Sequence, residues 1–236
     1  SLNTTPQKLY EIPEFTYAIT CNGAAVYHAR EKRLLFGDSM PYAEAGALFR
    51  ELWALDILLD VFVGDAIYRD ESKTALVERL SIPQVVKKFI IDTRTTVAGL
   101  PAYLERERPE IHKFTLNFLP EAGGERKDYN HVVEILKKYP NFTAVSGGHG
   151  NLEISKRTAT KGNGLQKLAA YLHIPIEETA AIGDSGNDRE MLKKAGLAVA
   201  MGNAEAQVKE VADLITASNE EDGVACALEG LALCAY

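Results

Sequence analysis

Apolar positions in the C-terminal third of the chain follow two alternating patterns. Leu165, Leu168 and Leu172 recur at three- and four-residue intervals, which predicts a helix, and Asn163 is its expected N-cap. Short apolar runs between such helical stretches predict strands at 179–182, 197–201 and 214–215. Strands that alternate with helices form a parallel sheet covered on both faces, so this region predicts an α/β fold.

The middle of the chain mixes helical patterns with strand patterns in a different order. The predicted strands lie at 57–63, 66–69, 112–119, 142–145 and 151–154. Alternation of apolar and polar residues makes 112–119 a half-exposed strand, and 96–107 reads as a helix. We therefore expect an α+β module with an antiparallel sheet at 41–154, inserted into a core formed by 1–40 and 155–236.

Composition and charge exclude several classes of partner. The chain is 46% hydrophobic and 25% charged, which is ordinary for a globular protein, and its net charge of −7 argues against non-specific nucleic-acid binding. No apolar run reaches the length of a membrane span. Cys21, Cys226 and Cys234 form no C-x-x-C pair. We expect a cytoplasmic protein that binds neither a nucleic acid nor a membrane.

The sequence GDSGND at 183–188 concentrates candidate chemistry at the end of a predicted strand. Open α/β sheets place their ligand sites at this end of the strands. The carboxylates of Asp184 and Asp188 suit a hard cation such as Mg²⁺, and the glycines allow a ligand to approach the backbone. The alternative is an acidic turn that only caps the following helix.

Lys161 is the second candidate, because it stands at the start of a predicted helix. The N-terminal end of a helix dipole is already positive, so a lysine there is unfavourable unless an anion such as phosphate lies nearby. The alternative is a solvated lysine in a loop. Together with the acidic loop one strand away, Lys161 indicates phosphoryl-transfer chemistry.

Several motifs in order resemble one family, the Cof-type phosphatases of the haloacid dehalogenase superfamily. The matching segments are ITCNGA at 19–24, LEI at 152–154, KG at 161–162, GDSGND at 183–188, AMGNA at 200–204 and NEEDGV at 219–224. The resemblance implies a three-layer Rossmann-like core with an inserted C2-type α+β cap. The weak similarity over the middle of the chain is what a variable cap domain would give.

The resemblance also implies roles for individual residues. Asp184 would coordinate Mg²⁺, and Asp188 would support the metal site and orient Lys161. Asn187 would hydrogen-bond the substrate phosphate, and Lys161 would neutralise charge on the phosphoryl group. Asn22 would lie on the substrate side of the site, with a plain turn residue before Gly23 as the alternative.

The family's nucleophile, the first aspartate of a D-x-D-x-T strand end, has no counterpart in these residues. Residues 89–96 imitate the pattern, but Arg94 replaces the second aspartate and cannot shuttle a proton, so we reject Asp92 as a nucleophile. We expect a preceding βα unit that carries the nucleophile.

The predicted function of the complete protein is Mg²⁺-dependent hydrolysis of a small phosphate monoester, such as a sugar phosphate, through an aspartyl-phosphate. Two alternatives stay open: a protein that binds a phosphorylated ligand without chemistry, and a phosphotransferase or mutase on the same core. The loop at 146–150, with His149, is either a cap loop near the site or a simple hairpin turn.

Overall fold

The computed structural model describes residues 1–121, 124–147 and 150–233. The chain forms two compact units, Ser1–Arg157 and Thr158–Tyr236, which we call unit 1 and unit 2. Gly148 and His149 of the predicted cap loop lie outside the described residues. The division into a core at 1–40 and 155–236 and a cap at 41–154 stays a prediction.

Unit 1 begins with a small antiparallel sheet. Its strands, in spatial order, are β1 (Tyr17–Thr20), β2 (Ala25–His28) and β3 (Arg33–Gly37). Leu2 from a preceding 3₁₀ turn packs with Ala18, Ala25 and Tyr27 in its core. Asn22 follows β1 in the left-handed conformation, with a φ of 58°, which an asparagine tolerates better than most residues.

A six-stranded sheet forms the larger part of unit 1. Its strands are β4 (Ile57–Val63), β5 (Ala66–Asp70), β6 (Thr95–Val97), β7 (Ile111–Phe118), β8 (Phe142–Ser146) and β9 (Leu152–Lys156). They lie in the order β6-β5-β4-β7-β9-β8, and every pair except β5 with β6 is antiparallel. The antiparallel sheet predicted for this region is therefore present.

Helices of unit 1 supply the core that packs against this sheet. They are α1 (Tyr42–Trp53), α2 (Leu76–Arg79), α3 (Gln84–Asp92), α4 (Leu100–Glu107) and α5 (Tyr129–Leu136). Leu48, Leu104 and Ile135 from three of the helices pack with apolar strand residues such as Phe114. The helix predicted over 96–107 begins only at Leu100, because 95–97 pair with β5 as a strand.

The two faces of the six-stranded sheet differ in chemistry. Strand register places Asp60, Thr115 and Glu153 side by side, and Lys113 and Asn117 lie two residues to either side of Thr115. We call this the polar face. The prediction that 112–119 is half-exposed is wrong, because all eight residues of β7 are buried, the polar ones included.

Unit 2 holds a parallel sheet of β10 (Ala180–Gly183), β11 (Leu197–Ala200) and β12 (Leu214–Ile215), in that order. Its helices are α6 (Lys161–Tyr171), α7 (Arg189–Lys194), α8 (Ala206–Lys209) and α9 (Gly223–Leu233). Leu192 and Val208 from two of these helices pack with Ala181 and Ala198 of the strands. This alternation of strands and helices confirms the α/β fold class.

The start of α6 corrects one sequence prediction. The helix begins at Lys161, and its N-cap is Thr160, whose hydroxyl accepts a hydrogen bond from the N–H of Asn163 at 3.1 Å. Asn163 therefore lies inside the helix, where its side-chain amide donates to the carbonyl of Thr158 at 2.7 Å. Thr160 is the N-cap because its backbone is extended, which directs its hydroxyl toward the free N–H groups at the start of the helix.

None of the described helices is long and apolar enough to cross a membrane.

Candidate functional site

The loop at 183–188 continues β10 at its carboxyl end in unit 2. Ser185 precedes a 3₁₀ turn, Gly186–Asp188, and forms a capping box with Asp188. Asp188 Oδ2 accepts hydrogen bonds from the backbone N–H groups of Asp184 and Ser185, at 3.1 and 3.2 Å. The alternative reading of this loop, an acidic turn that caps a helix, therefore applies in part to Asp188, because its carboxylate binds backbone N–H groups of the loop itself.

Gly183 makes this close folding possible. A Cβ atom on Gly183 would lie 2.5 Å from Cβ and 2.8 Å from Cγ of Asp188, which is closer than carbon atoms can approach without displacement. A larger residue would therefore push the Asp188 carboxylate away from the strand end. Glycine at this position therefore allows the Asp188 side chain to pack directly against the end of β10.

Lys161 joins the loop from the first position of α6. Its Nζ lies 2.5 Å from Asp188 Oδ1 and 3.2 Å from Asn187 Oδ1. The structure therefore brings together three of the residues proposed from the sequence. Because the Lys161 ammonium is paired with Asp188, its position at a helix start is electrostatically compensated.

The environment of Asp188 fixes its charge. Burial of the side chain, which is only 4% exposed, raises the pKa of the Asp188 carboxyl. The hydrogen bond and charge of Lys161, with the N–H groups of Ser185 and Asp184, outweigh burial and hold the pKa below its ordinary value. Asp188 is therefore a carboxylate at neutral pH, and it keeps Lys161 in place.

Asp184 differs from Asp188 because its side chain is exposed. Asn203, just after β11, lies with Nδ2 at 3.5 Å from Asp184 Oδ2, and its Oδ1 accepts the N–H of Asn219 at 2.9 Å. Sequence reasoning did not assign Asn203 a role. The available signal was its place at the carboxyl end of the strand next to β10.

The donor chemistry of the loop fits a hard cation in part. Among the described residues, no group of three His, Cys, Asp or Glu side chains could hold a metal ion. Mg²⁺ nevertheless needs only one or two protein carboxylates when water and phosphate oxygens complete its shell. The exposed carboxylate of Asp184 meets that need, whereas both oxygens of Asp188 already accept hydrogen bonds.

Asn22 belongs to unit 1, where its Nδ2 donates to Glu153 Oε2 at 2.8 Å. Glu153 Oε1 also accepts from Lys113 Nζ at 2.7 Å. Asn22 is therefore held by the end of β9 in its own unit, and its place on the substrate side stays a prediction.

The rejected nucleophile, Asp92, is the last residue of α3. Its carboxylate pairs with Lys88 on the same helix at 2.7 Å, and both side chains are exposed. Residues 89–92 of the segment that imitates the family's strand end thus belong to a helix, which supports the rejection.

Comparisons with known proteins find relatives in one family. The sequence model of a family described as haloacid dehalogenase-like hydrolase matches residues 5–228. Phosphatase YwpJ of Bacillus subtilis (strain 168) is 35% identical, over 89% of this chain and 77% of the relative. Pyridoxal phosphate phosphatase YbhA of Escherichia coli (strain K12) is 29% identical, over 89% of this chain and 75% of the relative.

A solved structure gives the same result for the fold. A haloacid dehalogenase-like hydrolase from B. subtilis superimposes with a TM-score of 0.70 and 30% sequence identity, over 89% of this chain and 77% of that chain. These matches confirm the predicted superfamily and the predicted enzyme class, a phosphatase. The chain belongs to the haloacid dehalogenase-like hydrolases.

Proposed function

We propose that the complete protein hydrolyses a small phosphate monoester, such as a sugar phosphate, with Mg²⁺ as its cofactor. The observation that carries this proposal is the convergence of Lys161 on Asp188 and Asn187, at 2.5 and 3.2 Å, in the loop that exposes Asp184. A cation, an amide and an exposed carboxylate at the end of a parallel strand are groups that phosphoryl transfer uses.

Each side chain has a distinct part in this proposal. Lys161 balances the negative charge of the phosphoryl group, and Asp188 holds the ammonium in place. Asn187 Oδ1 already accepts from Lys161 and from the Ser185 hydroxyl, at 3.2 and 2.8 Å. The N–H groups of the Asn187 amide are therefore the ones that donate to a phosphate oxygen.

We assign the metal ligand to Asp184, with Asp188 supporting the metal site through the shape of the loop. When bound, Mg²⁺ would neutralise phosphate charge and polarise the phosphorus–oxygen bonds. Asn203 orients the Asp184 carboxylate from the neighbouring strand end. A bound cation would also compensate the Asp184 charge.

We further propose a covalent aspartyl-phosphate whose aspartate is supplied by residues outside this sequence. A carboxylate oxygen forms a bond to phosphorus while the bond from phosphorus to the substrate oxygen breaks, and that oxygen takes a proton from a general acid. Water then attacks phosphorus and gives a proton to the same group, which now acts as general base, while the acyl phosphate bond breaks, the carboxylate is regenerated and inorganic phosphate leaves. In both steps Lys161 stabilises charge on the transferred group.

The substrate class in this proposal is a small, cytoplasmic phosphorylated metabolite. Pyridoxal phosphate, for which the relative YbhA is named, is itself such a monoester. Residues 41–154 would act as the cap that selects the organic part of the substrate, and 1–40 with 155–236 as the catalytic core. The acidic charge of the chain agrees with a small-molecule substrate instead of a nucleic acid.

The test is phosphate release by the complete protein, with any residues that are encoded before Ser1. Glucose 6-phosphate, sorbitol 6-phosphate and pyridoxal phosphate are assayed with Mg²⁺ and with EDTA. We expect metal-dependent release from at least one ester and its loss in EDTA. Binding without turnover would instead support a non-catalytic phospho-ligand protein, and transfer of phosphate to a second sugar would support a mutase.

A further inference from the structure

Two motifs of the sequence, AMGNA at 200–204 and NEEDGV at 219–224, lie against each other in unit 2. We call the first the AMGNA turn and the second, with the residues just before it, the NEEDGV loop. The N–H of Gly202 donates to the carbonyl of Ala217 at 2.9 Å. A Cβ atom on Gly202 would lie 2.8 Å from the backbone nitrogen of Ser218, so a larger residue would push the turn and the loop apart.

The AMGNA turn is also bound to the backbone at the end of β10. The N–H of Met201 donates to the carbonyl of Gly183 at 2.9 Å, and the N–H of Glu205 donates to the carbonyl of Asp184 at 3.1 Å. Asn203 lies between these two donors in the sequence. Backbone hydrogen bonds therefore place Asn203 beside the strand end that carries Asp184.

The direction of the Asn203 amide follows from its second partner. Its Oδ1 accepts the N–H of Asn219 at 2.9 Å. Because a backbone N–H can only donate, the amide oxygen faces Asn219, and the NH₂ group then faces Asp184 Oδ2 at 3.5 Å. In the opposite orientation the amide oxygen would face a carboxylate oxygen, and two acceptors repel each other. The NEEDGV loop thus determines which group of Asn203 meets Asp184.

The contact between Asn203 and Asp184 is long and lies between exposed side chains, so it contributes little to stability. Its effect is on orientation. A carboxylate offers about four lone-pair sites, so Asp184 can accept from Asn203 and bind a cation at the same time. Loss of a residue that orients a metal ligand typically weakens metal affinity by about 10- to 100-fold.

We propose that Asn203 is a positioning residue for the cation that binds Asp184, and that the NEEDGV loop sets its direction through the N–H of Asn219. The inference rests on the proposed function, because it takes Asp184 as the metal ligand. It adds that cation affinity depends on one backbone hydrogen bond outside the loop at 183–188. Because coupling between sites is reciprocal, a bound cation stabilises that hydrogen bond in turn.

Substitutions of Asn219 test this hydrogen bond. Asn219→Pro removes the N–H, and the local backbone accepts a proline. Residue 219 is the first of a 3₁₀ turn, Asn219–Glu221, and Ser218 before it is extended, with φ −74° and ψ 171°. Proline is favoured at the first position of a helix and needs an extended residue before it. Asn219→Ala is the matched control, because it removes the same side chain and keeps the N–H.

Binding of Mn²⁺ alone is measured on the complete protein from the paramagnetic resonance signal of the free ion, since Mn²⁺ uses the same ligand types as Mg²⁺. We expect about tenfold weaker binding in Asn219→Pro and in Asn203→Leu, and wild-type affinity in Asn219→Ala. The melting temperature without metal should be the same in the two Asn219 variants. Mg²⁺ should also slow exchange of the Asn219 amide in the wild type and leave it unchanged in Asn203→Leu.

Asp184→Asn separates this inference from the proposed function. If it removes Mn²⁺ binding while Asn203→Leu and Asn219→Pro bind as tightly as the wild type, the positioning role is wrong and the metal site stands. If Asp184→Asn leaves Mn²⁺ binding unchanged, the positioning role and the assignment of Asp184 are both wrong. Equal losses in Asn219→Pro and Asn219→Ala would also overturn the proposal, because only the proline removes the N–H.

Discussion

Asp188 connects folding and chemistry through the two oxygens of one carboxylate. Oδ2 binds the backbone N–H groups of Asp184 and Ser185, which gives the loop its shape. Oδ1 binds Lys161, which gives the loop its cation. A change at Asp188 would therefore alter the loop backbone and the position of the ammonium together.

The Lys161→Met variant removes the contact of Asp188 Oδ1 and leaves the contacts of Oδ2 with the loop backbone in place. The variant removes the ammonium, so burial of Asp188 is opposed only by backbone and hydroxyl donors, and we expect the pKa of its carboxyl to rise. Unit 2 should lose about 1–3 kcal/mol of stability, because a buried carboxylate loses a partner. Carboxyl ¹³C titration and hydrogen exchange of the β10 and β11 amides measure the two effects.

The matched control is Lys193→Met, which removes an exposed lysine that lies 3.6 Å from Glu190 on α7. Exposed ion pairs of this kind contribute little to stability, so the pKa of Asp188 and the exchange of the β10 and β11 amides should not change. If Lys161→Met behaved like this control, the pair would have no part in holding the loop.

At the scale of elements, a buried charge cluster ties β4 and β5 to the turn after α3. Asp60 of β4 is fully buried and accepts from Arg69 Nε and Nη2, at 2.7 and 2.8 Å, and from Arg94 Nε at 2.9 Å. Removal of one partner from a buried ion pair strongly destabilises the fold, because the remaining charge stays buried without compensation. The cluster therefore fixes the position of Arg94.

Asp60→Asn should destabilise unit 1 by about 3–5 kcal/mol, because two guanidinium groups lose their carboxylate. Urea unfolding followed by the fluorescence of Trp53, the single tryptophan, reports on this unit. Asp92→Asn makes the same chemical change at an exposed pair with Lys88 and should cost less than about 1 kcal/mol. Similar losses in both variants would contradict a structural role for the cluster.

Elements with a strong local pattern could be predicted from the sequence, and those set by distant partners could not. The hairpin of β4 and β5 follows from alternation around Gly64-Asp65. In contrast, 95–97 form β6 only because β5 offers a partner, and Thr160 replaces Asn163 as a cap through its backbone conformation. Alternation predicts that 112–119 is half-exposed, whereas β7 is buried throughout, because alternation alone does not show what covers a strand.

Among the site residues, too, some could be predicted from the sequence and others could not. Lys161, Asn187 and Asp188 could be proposed because their motifs follow one another in order, and the structure brings them together. Asn203 was missed because its contact with Asp184 depends on the pairing of β10 with β11. Asn22 carries no local signal for its actual partner, Glu153, which lies 131 residues away.

At the scale of the whole molecule, stability should depend on pH through His112. Its side chain is 1% exposed, and neither ring nitrogen has a hydrogen-bond partner among the described residues. Burial lowers the pKa of His112, and the charge of Glu110 opposes this only in part. The unfolded chain therefore binds a proton at a higher pH than the folded chain does.

The contribution of His112 to stability is fully present above its unfolded pKa of about 6.5 and is lost as the pH falls toward the folded pKa. We expect the unfolding free energy to fall between pH 7 and 5, by at most about 1.4 kcal/mol per pH unit from this residue. His112→Leu should flatten that slope, measured by Trp53 fluorescence in urea, and His131→Gln, at an exposed position, should not. An unchanged slope in His112→Leu would exclude this origin.

The order of the sheet in unit 2 has a further consequence. Among the described strands, β10 pairs only with β11, so the N–H and C=O groups along its other side can template another strand. Neighbouring strands lie about 4.8 Å apart. A segment that added to β10 in the parallel direction would therefore place its last residue one strand spacing from Gly183, at the start of the loop that carries Asp184 and Asn187.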